Sequence, residues 1–243
     1  MIPYVYQAPA IAGVRPLFVL PSEGNREYFA SHGGAPEAPL IAWAETLMPR
    51  GGFFVDVGAH VGTWSIVMGL KGHHVHSYEA QPWLARLCNA GLALNGLRAR
   101  CCDYGLSDRE ADLTLVSPYA DGGCGSVVVP YPDKSIELTV HVEALDDLVF
   151  PGAEAMIWRM PLDCPDCTRS IDLLKIDVEG AELDVLRGGR ETILRDRPKI
   201  LFECWADERG QRKEELFRYL KDELRYRVTE TTWNEMFVAD PLD

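Results

Sequence analysis

Two carboxylates stand one residue apart in the sequence Asp177-Val178-Glu179-Gly180, directly after the apolar run IDLLKI. Like charges this close together can raise the pKa of one carboxyl group and keep a base near neutrality. We therefore interpret Asp177 and Glu179 as candidate groups for proton abstraction. Acidic residues also complement the dipole at a helix N-terminus, and that structural role is the one we prefer for Glu182.

A second candidate is the turn DVGAHVG, from Asp56 to Gly62, which ends an apolar run and opens a predicted helix. Gly58 lets the backbone turn tightly and approach a ligand, and Gly62 allows a helix to pack closely on a strand. The spacing GxxxG lacks one glycine of the dinucleotide fingerprint GxGxxG. A carboxylate at Asp56 suits a cationic or hydroxyl-rich ligand, although a turn that serves topology alone is the alternative.

Glu79 ends the next predicted strand, roughly 20 residues beyond Asp56. An acidic residue at that distance commonly accepts hydrogen bonds from ribose hydroxyls. Glu79 therefore indicates a nucleoside ligand without choosing among nucleoside cofactors. A solvated surface carboxylate is the alternative interpretation.

These residues follow strands in a chain where strands and helices alternate. The pattern predicts strands at 53–57, 75–78, 97–102, 171–176 and 199–202, and helices at 40–48, 63–70, 82–94, 182–194 and 212–224. Such alternation implies βαβ units with right-handed crossovers. Ligands of these sheets bind at the carboxyl ends of the strands, where the candidate carboxylates stand.

The predicted domain organisation has three parts. Residues 1–50 form an N-terminal cap, in which 1–39 is an irregular arm and 40–48 a short helix. Residues 51–243 form the main domain. Within it, 111–170 is a β-rich insertion that faces the substrate, because ADLTLVS, SVVV and IELTVHV alternate or are β-branched between glycine-rich turns. The tail, from Tyr226, is expected to form a hairpin.

The composition restricts the partner and the compartment. A formal net charge of −13 argues against a nucleic-acid partner, because such binding depends on Lys and Arg. No apolar run approaches the roughly 20 residues of a membrane span, and the start is not a convincing signal peptide. Seven irregularly spaced cysteines fit reduced thiols in the cytoplasm. We expect a small-molecule or glycan acceptor, no membrane partner and an unknown oligomeric state.

The order of motifs DVGAHVG, SYEAQP, YGLSD, VEALDDL, LLKIDVEGAELDVLRGG and ILFE resembles the FkbM family of methyltransferases over residues 37–204. This resemblance implies the class I methyltransferase fold. That fold is an α/β, doubly wound, Rossmann-like domain with a mostly parallel seven-stranded sheet and one antiparallel strand. It also implies S-adenosylmethionine as the cofactor, and O-methylation of a hydroxyl group on a sugar or natural product.

The resemblance also implies roles for individual residues. The cofactor loop would contain Asp56, Gly58, Ala59, His60 and Gly62, with His60 where the family often has Asn. Glu79 would bind the ribose, with Asp103 and Tyr104 near the adenine. Asp177, Glu179 and Glu203 would face the transferred methyl group and the acceptor, and we expect Asp177 or Glu179 to be the general base.

Residues 151–170 depart from the family, whose link here is usually shorter. They contain Trp158 and the pair Cys164-Pro165-Asp166-Cys167, which is half of a zinc site. No other Cys or His stands at a recognisable zinc spacing, so we predict no metal and favour part of a substrate lid.

Three other functions remain open. An inactive module that retains the cofactor pocket is one, and an NAD-dependent oxidoreductase without GxGxxG is another. The third is a nucleic-acid methyltransferase, which the acidic charge disfavours.

Overall fold

The N-terminal segment is more regular than the sequence predicts. A computed structural model describes residues 2–118, 125–128, 136–149, 169–205, 212–233 and 235–242. The chain begins with an antiparallel hairpin of β1 (Tyr4–Gln7) and β2 (Leu17–Leu20), followed by α1 (Glu23–Ser31) and α2 (Ala38–Glu45). The prediction of an irregular arm over 1–39 was therefore wrong. Two four-residue strands between Pro and Gly are too short for a periodic signal, and they form because β2 is buried against the core.

The first half of the domain follows the predicted alternation closely. It consists of β3 (Phe53–Val57), α3 (Thr63–Leu70), β4 (His74–Tyr78), α4 (Pro82–Leu94) and β5 (Arg100–Cys102). Pro82 occupies the first turn of α4 as expected. Strands β3, β4 and β5 pair in parallel, so their carboxyl ends lie at one edge of the sheet.

A separate three-stranded sheet follows, formed by β6 (Gly105–Ser107), β7 (Ala111–Ser117) and β8 (Ile136–Ala144) in the order β6-β8-β7. Helix α5 (Leu145–Val149) comes directly after it. The predicted strand at SVVV is not present in its described residues. Ser126 makes only an isolated bridge to Val116, and Val127 and Val128 form a bend.

The second half returns to the main sheet through β9 (Leu173–Ile176), α6 (Glu182–Gly188), α7 (Arg190–Asp196) and β10 (Lys199–Glu203). Helix α8 (Lys213–Arg218) continues as a π-helix over Tyr219–Glu223, and β11 (Tyr226–Glu230) and β12 (Met236–Pro241) form the predicted hairpin. The single helix predicted over 182–194 is interrupted at Gly189, which caps both α6 and α7. Glycine is a poor helix former and permits this break.

The main sheet has the strand order β11-β12-β10-β9-β3-β4-β5. Strand β12 runs antiparallel to both of its neighbours, and the other pairings are parallel. The predicted α/β fold, a mostly parallel seven-stranded sheet with one antiparallel strand, is confirmed. In the described residues no helix has the length and apolar character needed to cross a bilayer.

Alternate residues of the central strands pack into two hydrophobic clusters, one on each face of the sheet. Phe54 of β3 joins the cluster that also contains Phe18 and Phe29 of the N-terminal segment. Phe53 and Val55 join the cluster on the opposite face. The N-terminal segment therefore shares a core with the sheet, and the domain boundary at residue 50 remains a prediction.

We expect Gly188→Ala to destabilise the fold, because a Cβ at Gly188 would lie 1.9 Å from the backbone oxygen of Ser107. The loss in the free energy of unfolding should be about 2 kcal/mol, or roughly 4–8 °C in Tm. Gly69→Ala is the matched control, since its Cβ would meet the flexible side chain of Leu97 at 2.8 Å. Thermal denaturation of the two variants tests this, and equal losses would contradict it.

Candidate functional site

A cavity of about 650 Å³ lies where the carboxyl ends of β3, β4, β9 and β10 meet. This volume is within the range of small-molecule and cofactor sites. The loops after the strands line most of it, and the N-terminal segment adds residues from α1 and from the turn before α2. The predicted site residues that line it are Gly58, Ala59, His60, Glu79, Asp177, Glu179 and Glu203.

The turn after β3 brings its backbone against the neighbouring strand. Gly58 has φ +80°, and a Cβ there would lie 1.8 Å from the backbone oxygen of Asp177. The N–H groups of Gly58 and Ala59 both donate to the backbone oxygen of Tyr78, at 2.9 and 3.0 Å. Only glycine fits this position, as the sequence suggested for close backbone approach.

Gly62 lies outside the cavity wall. A Cβ there would lie 2.5 Å from Sγ of Cys88 on α4. Gly62 therefore allows close packing of α3 against α4, whereas the sequence suggested packing of a helix on a strand.

Asp56 is fully buried, and its carboxylate is directed away from the cavity. Oδ2 accepts a hydrogen bond from Ser65 Oγ at 2.5 Å, and Oδ1 lies 3.3 Å from Lys175 Nζ. The expectation that Asp56 contacts a cationic ligand directly needs correction. Strand residues alternate between faces, and Asp56 faces α3 in the sheet interior.

Glu79 lines the cavity with a carboxylate that is 6% exposed. Its oxygens accept hydrogen bonds from the backbone N–H groups of His60, at 2.8 Å, and Gln81, at 2.9 Å. Burial raises the pKa of Glu79 to about 7, although these two hydrogen bonds oppose the shift. Glu79 thus joins the turn after β3 to the end of β4 and presents an acceptor to the cavity.

Asp103 and Tyr104 do not line the cavity. The Tyr104 ring packs against the rings of Tyr78, at 5.8 Å, and His141, at 6.3 Å. The segment after β5 instead contributes Gly105 and Leu106 to the wall. Asp103 and Tyr104, predicted to lie near the adenine, are therefore not part of the cavity wall.

Lys175, which the sequence analysis did not single out, is the cation at the centre of the site. It is 2% exposed, and Nζ donates to the backbone oxygen of Gly58 at 2.9 Å. Nζ also lies 3.2 Å from Asp177 Oδ2 and 3.3 Å from Asp56 Oδ1. Burial lowers the pKa of Lys175, but the surrounding carboxylates outweigh burial and raise it. A lysine inside the apolar run LLKI was the available signal.

Asp177, Glu179 and Glu203 form an acidic cluster, with one oxygen of each within 4.8 Å of one oxygen of the others. Burial, followed by the charges of Asp177 and Glu179, raises the pKa of Glu203 to about 9. Glu179 has φ +57°, and its backbone oxygen accepts a hydrogen bond from Ser126 Oγ at 2.6 Å. The cluster has the spacing to share a proton or to bind a cation.

Glu182 holds the loop that carries this cluster. Its Oε1 accepts hydrogen bonds from the N–H groups of Val178, at 3.2 Å, and Gly180, at 3.1 Å. Burial raises the pKa of Glu182 to about 7. The structural role predicted for Glu182 agrees with these contacts.

The cavity wall does not include His141, Trp43, Trp205 or Trp233. His141 contacts the carboxylates of Asp112, at 3.0 Å, and Glu143, at 3.2 Å. Trp43 and Trp233 pack on each other at 5.2 Å, and Trp205 is buried. Trp158, Cys164 and Cys167 lie outside the described residues, so the lid and zinc interpretations stay untested.

Comparison with known proteins gives one consistent picture. The family described as "Methyltransferase FkbM domain" matches residues 167–228. "Methyltransferase sdnD" of Sordaria araneosa is 31% identical over 65% of this chain and 68% of its own length. "Methyltransferase 1" of Beauveria bassiana (strain ARSEF 2860) is 27% identical over 58% of this chain and 59% of its own length. The crystal structure of an FkbM methyltransferase from Methylobacillus flagellatus KT is 17% identical, with a TM-score of 0.48, over 78% of this chain and 44% of that chain.

We expect the free energy of unfolding of the ligand-free protein to fall as the pH rises from about 4.5 to 7. Folded Glu79 and Glu182 keep their protons up to about pH 7, whereas their ordinary pKa is 4.5. The folded state therefore binds more protons in this window, and the stability present below it is lost as the pH rises. Glu182→Gln, which retains an acceptor oxygen, should reduce the slope by up to about 1.4 kcal/mol per pH unit.

Urea denaturation at pH 5, 6 and 7 measures this slope. Exposed Glu230 provides the matched control, and Glu230→Gln should keep the slope of the unmodified chain. Parallel declines in the Glu182 variant and the unmodified chain would contradict the assignment.

Proposed function

The chain belongs to the FkbM family of methyltransferases, and we propose that it transfers the methyl group of S-adenosylmethionine to a hydroxyl oxygen of a sugar or natural product. One observation carries this proposal. Glu79, a hydrogen-bond acceptor suited to the ribose of a nucleoside, and the glycine turn at Gly58 both line a single cavity. The same cavity is lined by a cluster of three carboxylates at the ends of β9 and β10.

The described residues fit the cofactor. Gly58 lets the turn after β3 lie against the backbone of Asp177 at the cavity wall, and Glu79 offers carboxylate oxygens suited to ribose hydroxyls. Gly105 and Leu106 supply an uncharged part of the wall for the adenine ring of the cofactor. When bound, S-adenosylmethionine supplies an electrophilic methyl group on a sulfonium cation.

The acidic cluster is the proposed site of proton removal from the acceptor hydroxyl. Glu203 holds a proton at neutral pH, because its pKa is raised to about 9 beside Asp177 and Glu179. Asp177 Oδ2 is held by Lys175 at 3.2 Å, whereas Glu203 Oε2 is buried and accepts no hydrogen bond from the described residues. The cluster therefore titrates as a unit with its proton on Glu203, and Glu179 is the proposed acceptor of the hydroxyl proton.

The charge of the cavity supports an uncharged acceptor. Glu37, Glu79, Asp177, Glu179 and Glu203 line it, and Lys175 is the only Lys or Arg of the described residues that does so. A phosphate-rich polymer would meet repulsion here, whereas a neutral polyhydroxylated molecule finds hydrogen-bond acceptors.

We propose that the protein is located in the cytoplasm. This is supported by the free thiols of four cysteines among the described residues, Cys88, Cys101, Cys102 and Cys204.

Calorimetric titration with S-adenosylhomocysteine, beside NAD, tests the cofactor. We expect the unmodified chain to bind S-adenosylhomocysteine and not NAD. Glu79→Gln should weaken this binding at least about tenfold, because the amide replaces a carboxylate acceptor of charge-assisted hydrogen bonds. Glu230→Gln is the exposed control and should bind unchanged. Failure of the folded, unmodified chain to bind S-adenosylhomocysteine would overturn the proposal, and binding of NAD instead would favour an oxidoreductase.

The base assignment is tested by turnover with an acceptor found by screening hydroxylated compounds with methyl-labelled S-adenosylmethionine. We expect Glu179→Gln to lower kcat by roughly 10²- to 10⁴-fold, whereas Glu203→Gln, which resembles the protonated carboxyl group, should lower it by less than about tenfold. Their affinity for S-adenosylhomocysteine should stay within about twofold, since the proton-accepting groups act on the acceptor. Full turnover in both variants would rule out the cluster as the base. Binding without turnover for every acceptor in the unmodified chain would indicate an inactive cofactor-binding module.

A further inference from the structure

The N-terminal segment contributes a carboxylate of its own to the cavity. Glu37, at the N-cap of α2, lines the wall beside Trp64. Its Oε2 accepts a hydrogen bond from Trp64 Nε1 at 2.7 Å, and this is the only side-chain hydrogen bond of Glu37 within the described residues. Trp64 is 2% exposed, and its indole N–H also holds this carboxylate in place.

Glu37 completes an unbalanced group of charges. Asp56 and Asp177 lie within 3.3 Å of the ammonium group of Lys175, and Glu37 also interacts with it electrostatically. Burial, followed by the charge of Asp177, raises the pKa of Glu37, whereas Lys175 opposes this rise. Buried carboxylates are stabilised by a paired cation. The three carboxyl groups outnumber the single ammonium group of Lys175, so a second cation that binds from the cavity would be stabilised here.

We propose that Glu37 binds the α-ammonium group of the methionine part of S-adenosylmethionine. This inference rests on the proposed function and identifies a binding residue for its cofactor. An ammonium group carries three N–H donors and pairs directly with a carboxylate, whereas a sulfonium has none. Asp56, which the sequence suggested for a cationic ligand, is enclosed by Ser65 and Lys175, whereas Glu37 lines the cavity and belongs to neither the Lys175 ion pairs nor the acidic cluster.

The proposal gives the N-terminal segment a function beyond packing. Glu37 precedes α2 at a turn that packs over the cavity, and Gly24 and Asn25 of α1 line the same wall. Contact between Glu37 and the ammonium group couples the position of this segment to the methionine end of the cofactor. The nucleoside end stays with Glu79, which lines the same cavity.

Two nucleoside ligands distinguish the contribution of Glu37 to cofactor binding from that of Glu79. S-Adenosylhomocysteine carries the α-ammonium group, and 5′-methylthioadenosine lacks the whole amino-acid part. The dissociation constants of both are measured by calorimetry for the unmodified chain, for Glu37→Gln and for Glu27→Gln. The glutamine at 37 retains an oxygen for Trp64 Nε1, which preserves the local fold. Glu27 is an exposed carboxylate on α1 and is the matched control.

We expect Glu37→Gln to weaken the binding of S-adenosylhomocysteine at least about tenfold, and the binding of 5′-methylthioadenosine by less than about twofold. The control should change neither. An analogue of S-adenosylhomocysteine without the α-amino group should bind the unmodified chain and Glu37→Gln equally.

Equal weakening of both ligands by Glu37→Gln would assign Glu37 a purely structural role and overturn the inference. Unchanged binding of S-adenosylhomocysteine would do the same. In either case the unmodified chain still binds S-adenosylhomocysteine, so the proposed function stands. Absence of that binding in the unmodified chain would remove the proposed function and this inference together.

Discussion

The ion pairs of Lys175 with Asp56 and Asp177, in the middle of the main sheet, are the interaction on which the site depends. Lys175 and Asp56 are direct neighbours in the register of β9 and β3, and both are essentially inaccessible to water. Removing either partner would leave an uncompensated buried charge, which is costly. Because Nζ also donates to the backbone oxygen of Gly58, the same ammonium group holds the turn that opens the cavity.

The cavity around Lys175 is lined by several carboxyl groups that are largely shielded from water. Burial raises the pKa of Glu37, Glu79, Glu182 and Glu203, so several of these groups hold protons near neutrality. The hydrogen bonds of Glu79 and Glu182 to backbone N–H groups shape the loops after β3, β4 and β9. A cavity of this kind is suited to a cationic methyl donor, because its positive charge relieves repulsion among the carboxylates.

The strand ends were predictable because parallel strands covered on both faces are short, apolar and bounded by turn residues. Strand β3 and helices α3 and α4 have the predicted bounds, and the order of motifs indicated the family. The irregular arm was wrong, because β1 and β2 are stabilised by contacts distant in the chain. The helix predicted over 182–194 was too long, because apolar periodicity continues across Gly189.

The sequence by itself determined which carboxylates stand at the ends of which strands, since strand order and residue type follow from local pattern. It also indicated a close backbone approach at Gly58, which the structure shows to be an approach to the backbone of Asp177. Only the tertiary structure decided where each carboxylate points. Asp56 turns into the sheet toward Lys175, and Glu37 reaches the cavity from a segment that precedes the motifs. Side-chain direction depends on the face of a strand and on packing between distant segments. The local periodicity of the sequence does not show how distant segments pack.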